Sequence, residues 1–220
     1  TASSSLWMDL SKVGFLSAPD NSSKEWNFLQ TIKPRTPGPE MLEEWLSQLL
    51  PCPREHTVLV DYSISNIAEV PPPPGLALAP RVASAWNAPV WISRLHRAVS
   101  GRDPQLMITL RDPLVRVHSE YYFELKARSW ATGHFVPVNS TFVEDFTADV
   151  ALLGRTPPVL SKTFWNSLTA AGAEAYLAKF PPAQLIFLPM REYTENAAAF
   201  SAGLFARLGV RAAPWQAASE

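Results

Sequence analysis

The sequence predicts an α/β protein in which a parallel central sheet is flanked by helices. Short apolar runs alternate with longer amphipathic stretches along the chain. The apolar runs are continuous, as is typical of parallel strands covered on both faces. Of the 220 residues, 47% are hydrophobic and 18% are charged, which excludes disorder of the whole chain. This length suits one core, so we expect a single domain over residues 1–220.

In the first half of the chain, each element follows from a local pattern. Residues 3–13 form a predicted helix because Ser and Thr suit its start and apolar side chains recur every three to four residues. Residues 39–50 form a second predicted helix, with a proline at its start and acidic residues in its first turn. The apolar run 57–61 predicts a buried strand, and the four prolines at 71–74 predict a loop or polyproline turn.

The second half continues the alternation. Residues 90–99 are a predicted helix, and 105–110 are a predicted strand that ends at Arg111-Asp112-Pro113. Pro113 then begins a long helix to about residue 130. An Ala-rich helix is expected over about 168–179, a strand over 184–188 and a last helix over about 194–208.

Composition excludes several classes of function. Nineteen basic and twenty acidic residues give a net charge of −1, which argues against a protein that coats nucleic acid. No run of 18 apolar residues occurs, so no membrane-spanning segment is predicted. The one cysteine, Cys52, excludes an internal disulfide and a Cys-based zinc site. The four histidines have no metal-binding spacing, so no metal is expected.

The strongest local signal is the passage from the predicted strand 105–110 to the helix that follows it. Ligands of open α/β sheets bind at the carboxyl ends of strands, where Arg111 lies. Free N–H groups and the dipole of the next helix favour an anion there. Ser119 lies about two helical turns on, so a guanidinium and a hydroxyl could hold one phosphate. The alternative is structural: Arg111 pairs with Asp112 or a surface acid, and Ser119 is a surface serine.

The spacing Arg-Asp-Pro-x-x-Arg-x-x-Ser-x-Tyr over 111–121 resembles a motif of sulfotransferases that use 3′-phosphoadenosine 5′-phosphosulfate (PAPS). The match is to the carbohydrate branch, the heparan-sulfate and related O-sulfotransferases, in which this motif binds the 3′-phosphate. The resemblance implies that Arg111 and Ser119 hold that phosphate. It also implies a P-loop-NTPase-like sulfotransferase fold, PAPS as co-substrate and no metal.

The first residues, Thr1-Ala2-Ser3-Ser4-Ser5, resemble the second half of the family's 5′-phosphosulfate loop, Lys-(Ser/Thr/Gly)-Gly-Thr-Thr-Ser-Leu. Backbone amides at a helix start, with added hydroxyls, would cradle the phosphate. Ala2 stands where glycine is usual. The family lysine and first strand would precede Thr1, so we expect a domain truncated at both ends. An ordinary helix cap would explain the serine run taken alone.

Residues 24–29, Lys-Glu-Trp-Asn-Phe-Leu, resemble the family's Lys-Glu-x-His/Gln-Phe-Phe stretch. The glutamate of that stretch is the catalytic base, which removes the acceptor proton as sulfur is attacked. The resemblance therefore implies that Glu25 is the base and that Lys24 and Asn27 lie near the acceptor. Asn27 replaces the usual His or Gln. A solvated surface carboxylate beside Lys24 is the alternative for Glu25.

Residues 60–64, Val-Asp-Tyr-Ser-Ile, parallel the family's Glu-Lys-Thr-Pro or Asp-x-Ser-Pro at the end of the second strand. Asp61 and Ser63 are candidate wall residues of the acceptor site, and capping of the strand end explains them equally well. Tyr62 and Ile64 depart from the family pattern. Residues 176–188 match the family's Trp-Leu-x-x-Phe-Pro and following strand more loosely.

The resemblance implies an enzyme that moves a sulfuryl group from PAPS to a hydroxyl or amino group of a carbohydrate such as a glycosaminoglycan. A non-catalytic nucleotide- or glycan-binding homologue stays open, because site residues rather than fold decide function. A P-loop kinase is disfavoured by the lack of a Gly-Lys-Ser/Thr triplet. With the glycosylation sequons at 21–23 and 139–141, the resemblance predicts a Golgi-lumen glycoprotein, anchored to the membrane in a eukaryotic parent.

Overall fold

The architecture comes from a computed structural model, which describes residues 6, 10, 15–17, 44, 58–60, 70–78, 87–101, 103–132 and 140–209. Strands and helices alternate through these ranges. The strands are β1 (Phe15–Ser17), β2 (Val58–Val60), β3 (Ala77–Leu78), β4 (Leu106–Leu110), β5 (Val159–Leu160) and β6 (Leu185–Pro189). The helices are α1 (Ala88–Ser100), α2 (Pro113–Thr132), α3 (Phe142–Leu153), α4 (Lys162–Ser167), α5 (Thr169–Leu177), α6 (Met190–Glu195) and α7 (Ala197–Leu208).

The described strands form three parallel pairs, β1 with β2, β3 with β5, and β4 with β6. In the longest pair, Leu106 lies opposite Leu185 and Leu110 lies opposite Pro189. Parallel neighbours need a crossover connection, and helices α2 to α5 all lie between β4 and β6 in sequence. The predicted α/β class with parallel strands and flanking helices is therefore confirmed.

Both faces of the β4–β6 pair are covered by apolar side chains. Side chains alternate along β6, so Ile186 and Leu188 pack with Leu204 and neighbouring residues of α6 and α7. Leu185 and Phe187 join the opposite cluster, which includes Trp165 of α4 and residues of α5. This two-sided burial explains why the strand is a continuous apolar run rather than an alternating one.

The predicted elements of the second half are observed close to their expected bounds. The strands predicted at 105–110 and 184–188 are β4 and β6, and the helices predicted at 90–99 and 113–130 are α1 and α2. The strand predicted at 57–61 is β2, and residues 71–74 are irregular with a turn at their end. Of the helix predicted at 3–13, Leu6 and Leu10 are described; both are helical and buried against β6 and α7. Of the helix predicted at 39–50, only Glu44 is described, and it is helical.

One helix prediction needs correction. The last helix, expected to be continuous over about 194–208, is split into α6 and α7 at Asn196. The Asn196 side chain accepts a hydrogen bond from the Ala199 N–H at 3.0 Å and so caps the start of α7. The Ala-rich helix expected over about 168–179 is α5, and it directly follows the separate short helix α4.

The amino end of β4 is fixed to α1 by a charged cluster. Arg97 Nε lies 3.0 Å from both carboxylate oxygens of Asp103, and Ser93 Oγ donates to Asp103 Oδ1 at 2.6 Å. Gly101 closes α1 at φ 71°, a left-handed conformation that side chains other than glycine rarely adopt. Hydrogen bonds from Arg97 and then Ser93 hold the pKa of Asp103 below its usual range. This end of the strand is therefore structural.

Within the described ranges, no helix combines the length and apolarity needed to cross a bilayer. The same ranges contain no group of three or more His, Cys, Asp or Glu side chains placed to hold a metal ion.

Candidate functional site

Arg111 lies at the carboxyl end of β4, immediately after the last strand residue and two residues before the first residue of α2. Its side chain is exposed. Among the residues that the structure describes, Arg111 has neither an ion pair nor a hydrogen bond from its guanidinium. The described contacts therefore do not include the ion pair between Arg111 and Asp112 that the structural alternative predicts. The guanidinium is accessible to an anion from solvent.

The start of α2 is capped by Asp112 rather than left open. Asp112 Oδ1 accepts the Val115 N–H at 3.0 Å, and the Asp112 carbonyl accepts the Arg116 N–H at 2.9 Å. Pro113 has no N–H to offer. The Val115 N–H is therefore used within the helix, so fewer N–H groups than expected are open to an anion at this helix start.

This cap changes how an anion can be held here. The carboxylate of Asp112 opposes the partial positive charge of the helix start, which reduces the attraction that the dipole alone would give a phosphate. Side chains must supply the remaining attraction. Arg111 is an exposed cation at this position, and its guanidinium rather than the backbone is the group that offers such attraction.

Ser119 lies on α2 and is half-buried. It follows Arg111 by the predicted two helical turns, but no hydrogen bond joins the two side chains. The Ser119 hydroxyl has no hydrogen-bond partner within the described part of the chain. Within the described residues, neither side chain is joined to the other or to a further partner.

Arg116 is a site residue to which the sequence reasoning gave no role. Its Nε donates to the Asn166 carbonyl at 2.9 Å, and Asn166 Nδ2 donates to Glu120 Oε1 at 2.8 Å. Burial lowers the pKa of Arg116 most, Glu120 raises it and the like charge of Arg111 lowers it further. The two guanidinium groups are thus close enough to interact. The signal was present in the sequence, because Arg116 is the second arginine of the motif over 111–121.

Aromatic rings fill the contact between α2 and α3. The His118 ring lies 4.8 Å from the Tyr122 ring and 4.9 Å from the Phe142 ring, measured between centroids. Tyr121 donates its hydroxyl to the Ser140 carbonyl at 3.1 Å. His118 therefore packs towards α3, although it is adjacent in sequence to Ser119. These ring contacts hold α2 against α3, so His118 has a structural role.

The other predicted site residues lie outside the described residues. They are Thr1, Ala2, Ser3, Ser4, Ser5, Lys24, Glu25, Asn27, Asp61 and Ser63. Two of their neighbours are described: Leu6, which follows the predicted phosphate loop, is helical, and β2 ends at Val60, directly before Asp61. A helix after the loop and a strand before Asp61 are what the predictions require of these positions.

Comparison with known proteins gives similarity at the level of fold. No protein-family model matches the chain, and no curated protein matches it. Among solved structures, a sulfotransferase from Alicyclobacillus acidocaldarius is similar, with a TM-score of 0.56 and 14% sequence identity. The similarity covers 96% of this chain and 77% of that one. The chain therefore has an α/β fold of the sulfotransferase type, as its motifs predict.

Proposed function

We propose that this protein is a PAPS-dependent sulfotransferase that transfers a sulfuryl group to a hydroxyl or amino group of a carbohydrate. The observation that carries the proposal is Arg111, an exposed guanidinium at the carboxyl end of β4 in a chain whose fold resembles that of a sulfotransferase. Ser119 supplies a hydroxyl on α2, the helix that follows Arg111. Together they suit the 3′-phosphate of the nucleotide, as the motif over 111–121 implies.

In the proposed reaction, the acceptor oxygen or nitrogen attacks sulfur in line with the departing nucleotide. The new bond to sulfur forms as the bond between sulfur and the 5′-phosphate oxygen breaks. The acceptor proton passes to Glu25, and the negative charge that develops on the 5′-phosphate is held by the amides and hydroxyls of Thr1, Ala2 and the serines 3–5. The nucleotide leaves with both of its phosphates.

The acceptor side of the proposal rests on the family resemblance. Lys24 and Asn27 flank the proposed base, and Asp61 and Ser63 follow the carboxyl end of β2. Strand carboxyl ends are where α/β folds bind substrates, so residues after β2 and β4 suit one cleft. Similarity to the heparan-sulfate branch supports a glycosaminoglycan acceptor. The two sequons support a glycoprotein of the Golgi lumen.

The test is sulfate transfer from labelled PAPS to a panel of polysaccharides by the full-length protein. We expect transfer to at least one acceptor, and its loss in Arg111→Ala at nucleotide concentrations near the Kd. Arg207→Ala is the matched control, because Arg207 is an exposed arginine on α7. Nucleotide binding without transfer to any acceptor would favour the non-catalytic homologue, and magnesium-dependent ATP turnover would favour a kinase.

A further inference from the structure

The first turns of α2 carry the proposed phosphate ligands but have little apolar anchorage. Leu114 is 66% exposed and Val115 is 46% exposed, whereas Val117 is buried at 5%. Apolar burial is the usual means by which a helix keeps its rotation on a sheet. One buried valine fixes the rotation of α2 only weakly at this end. Polar contacts must therefore contribute to holding the first turns of the helix in position.

Those contacts come from one residue of α4. Arg116 and Glu120 are four residues apart and therefore lie on one side of α2. Arg116 Nε donates to the main-chain carbonyl of Asn166 at 2.9 Å, and the Asn166 side-chain amide donates to Glu120 at 2.8 Å. We call these three residues the α2–α4 clasp. It joins positions 50 and 46 residues apart in sequence, so it forms only when the two helices dock.

Helix α4 is a firm support for this clasp. Trp165 and Ser167, which flank Asn166, are 4% and 3% exposed. Trp165 belongs to the core cluster beneath β4 and β6. The start of α4 is capped by Ser161, which accepts the Phe164 N–H at 3.2 Å. Movement of Asn166 would therefore disturb the core. The first turns of α2, with one buried valine, depend more on the clasp, because the aromatic contacts with α3 hold the helix only from His118 onward.

The clasp controls the direction in which Ser119 points. At 3.6 residues per turn, Ser119 lies about 60° around α2 from Arg116 on one side, and Glu120 lies about 40° from it on the other. The rotation that satisfies the clasp therefore also sets the position of Ser119. We propose that Arg116, Glu120 and Asn166 are positioning residues that hold Ser119 and Arg111 towards the same phosphate. This inference rests on the proposed function, because it assigns a role at that site.

The charges of the clasp agree with this role. The Glu120 carboxylate opposes the unfavourable effects of burial and of the Arg111 charge on the Arg116 guanidinium. Arg116 bonds to the carbonyl through Nε, which is attached to Cδ, whereas the donor of a lysine lies one bond further along the side chain, so lysine keeps the charge but not this donor position. Charge and orientation can therefore be separated by mutation.

The experiment measures a ratio: the Kd for AMP divided by the Kd for 3′-phosphoadenosine 5′-phosphate, by calorimetry on the full-length protein. The variants are Arg116→Lys, which keeps the charge, and Asn166→Ala, which keeps the main-chain acceptor but frees Glu120. Arg207→Lys is the control. Both nucleotides are titrated into the same preparation, so any unfolded fraction cancels from the ratio.

We expect each clasp variant to lower this ratio by about fivefold, the equivalent of one lost hydrogen bond, while the control leaves it unchanged. A ratio within twofold of the unmutated value in either clasp variant overturns the positioning role while leaving the proposed function intact. A different failure is an unmutated protein that binds both nucleotides equally. That result removes the 3′-phosphate site and the clasp's role together.

Discussion

Replacement of Arg111 by alanine is the most direct test of the site. A hydrogen bond between a guanidinium and a phosphate contributes roughly 1.5–3 kcal/mol. Arg111 is exposed and adjacent to the Asp112 carboxylate, so the lower value applies. We therefore expect Arg111→Ala to weaken binding of 3′-phosphoadenosine 5′-phosphate by about 1.5 kcal/mol, which is about twelvefold in Kd. Binding of AMP, which lacks the 3′-phosphate, should stay within about twofold.

Titration calorimetry at two salt concentrations measures both constants and their electrostatic part. The twelvefold loss should shrink at the higher salt concentration, because ions screen an exposed charge pair. The affinity of Arg111→Lys for 3′-phosphoadenosine 5′-phosphate should lie between those of the unmutated protein and Arg111→Ala. Lysine keeps the charge but lacks the paired N–H donors of a guanidinium. The melting temperature is the folding control, and it should barely move because the guanidinium has no described partner. Equal losses for both nucleotides would show that Arg111 does not recognise the 3′-phosphate.

Three further changes test the chemistry and the scaffold. Glu25→Gln should lower turnover by ~10²–10⁴-fold with little change in nucleotide affinity, since it removes only the proposed base; near-normal transfer would place the base elsewhere. Ser201→Ala should raise the free energy of unfolding by about 1 kcal/mol in thermal denaturation, because the Ser201 hydroxyl is buried and has no hydrogen-bond partner among the described residues. Ser167→Ala, which removes a buried hydroxyl that is hydrogen-bonded, should give no such gain, and equal shifts would contradict this reasoning. Asp103→Asn should lower the melting temperature at neutral pH but progressively less below about pH 4, where the carboxyl of the unfolded state becomes protonated before the native one. The pKa of Asp103 is lowered by Arg97, so its stabilising effect is present above the ordinary carboxyl pKa and lost as pH falls through the lowered value; a pH-independent difference would refute the ion pair.

The elements that the sequence predicts best are those with strong local signals. Strands β4 and β6 are continuous apolar runs, and α2 begins at a proline directly after one of them. The strands β3 and β5 have two residues each, too few for any periodicity to appear. Helix α3 was missed although Thr141 and Glu144 form a capping box at its start, a signal readable in the sequence.

The site was predicted in part for the same reason. Arg111 and Ser119 are eight residues apart, so their spacing is a local pattern that the sequence shows. In the structure, Arg111 follows the end of β4 and Ser119 lies on α2. The hydrogen bond between Arg116 and Asn166 joins residues 50 positions apart in sequence, and no local sequence pattern predicts such a contact. The Asp112 cap, in contrast, is readable in the sequence, because aspartate before a proline-initiated helix is a common N-cap.

The pairing of β4 with β6 has a consequence for how the protein is made. The side chain of Gln105 bonds to the carbonyl of Ala183, 78 residues further along the chain, at the start of this pair. At 5–20 residues per second, a ribosome needs about 4–16 s to synthesise that interval. Throughout it, Leu106, Ile108 and Leu110 form an extended apolar segment without its permanent neighbour. Soluble yield should therefore depend on chaperones that bind extended apolar segments during translation, and on how many ribosomes translate the message at once.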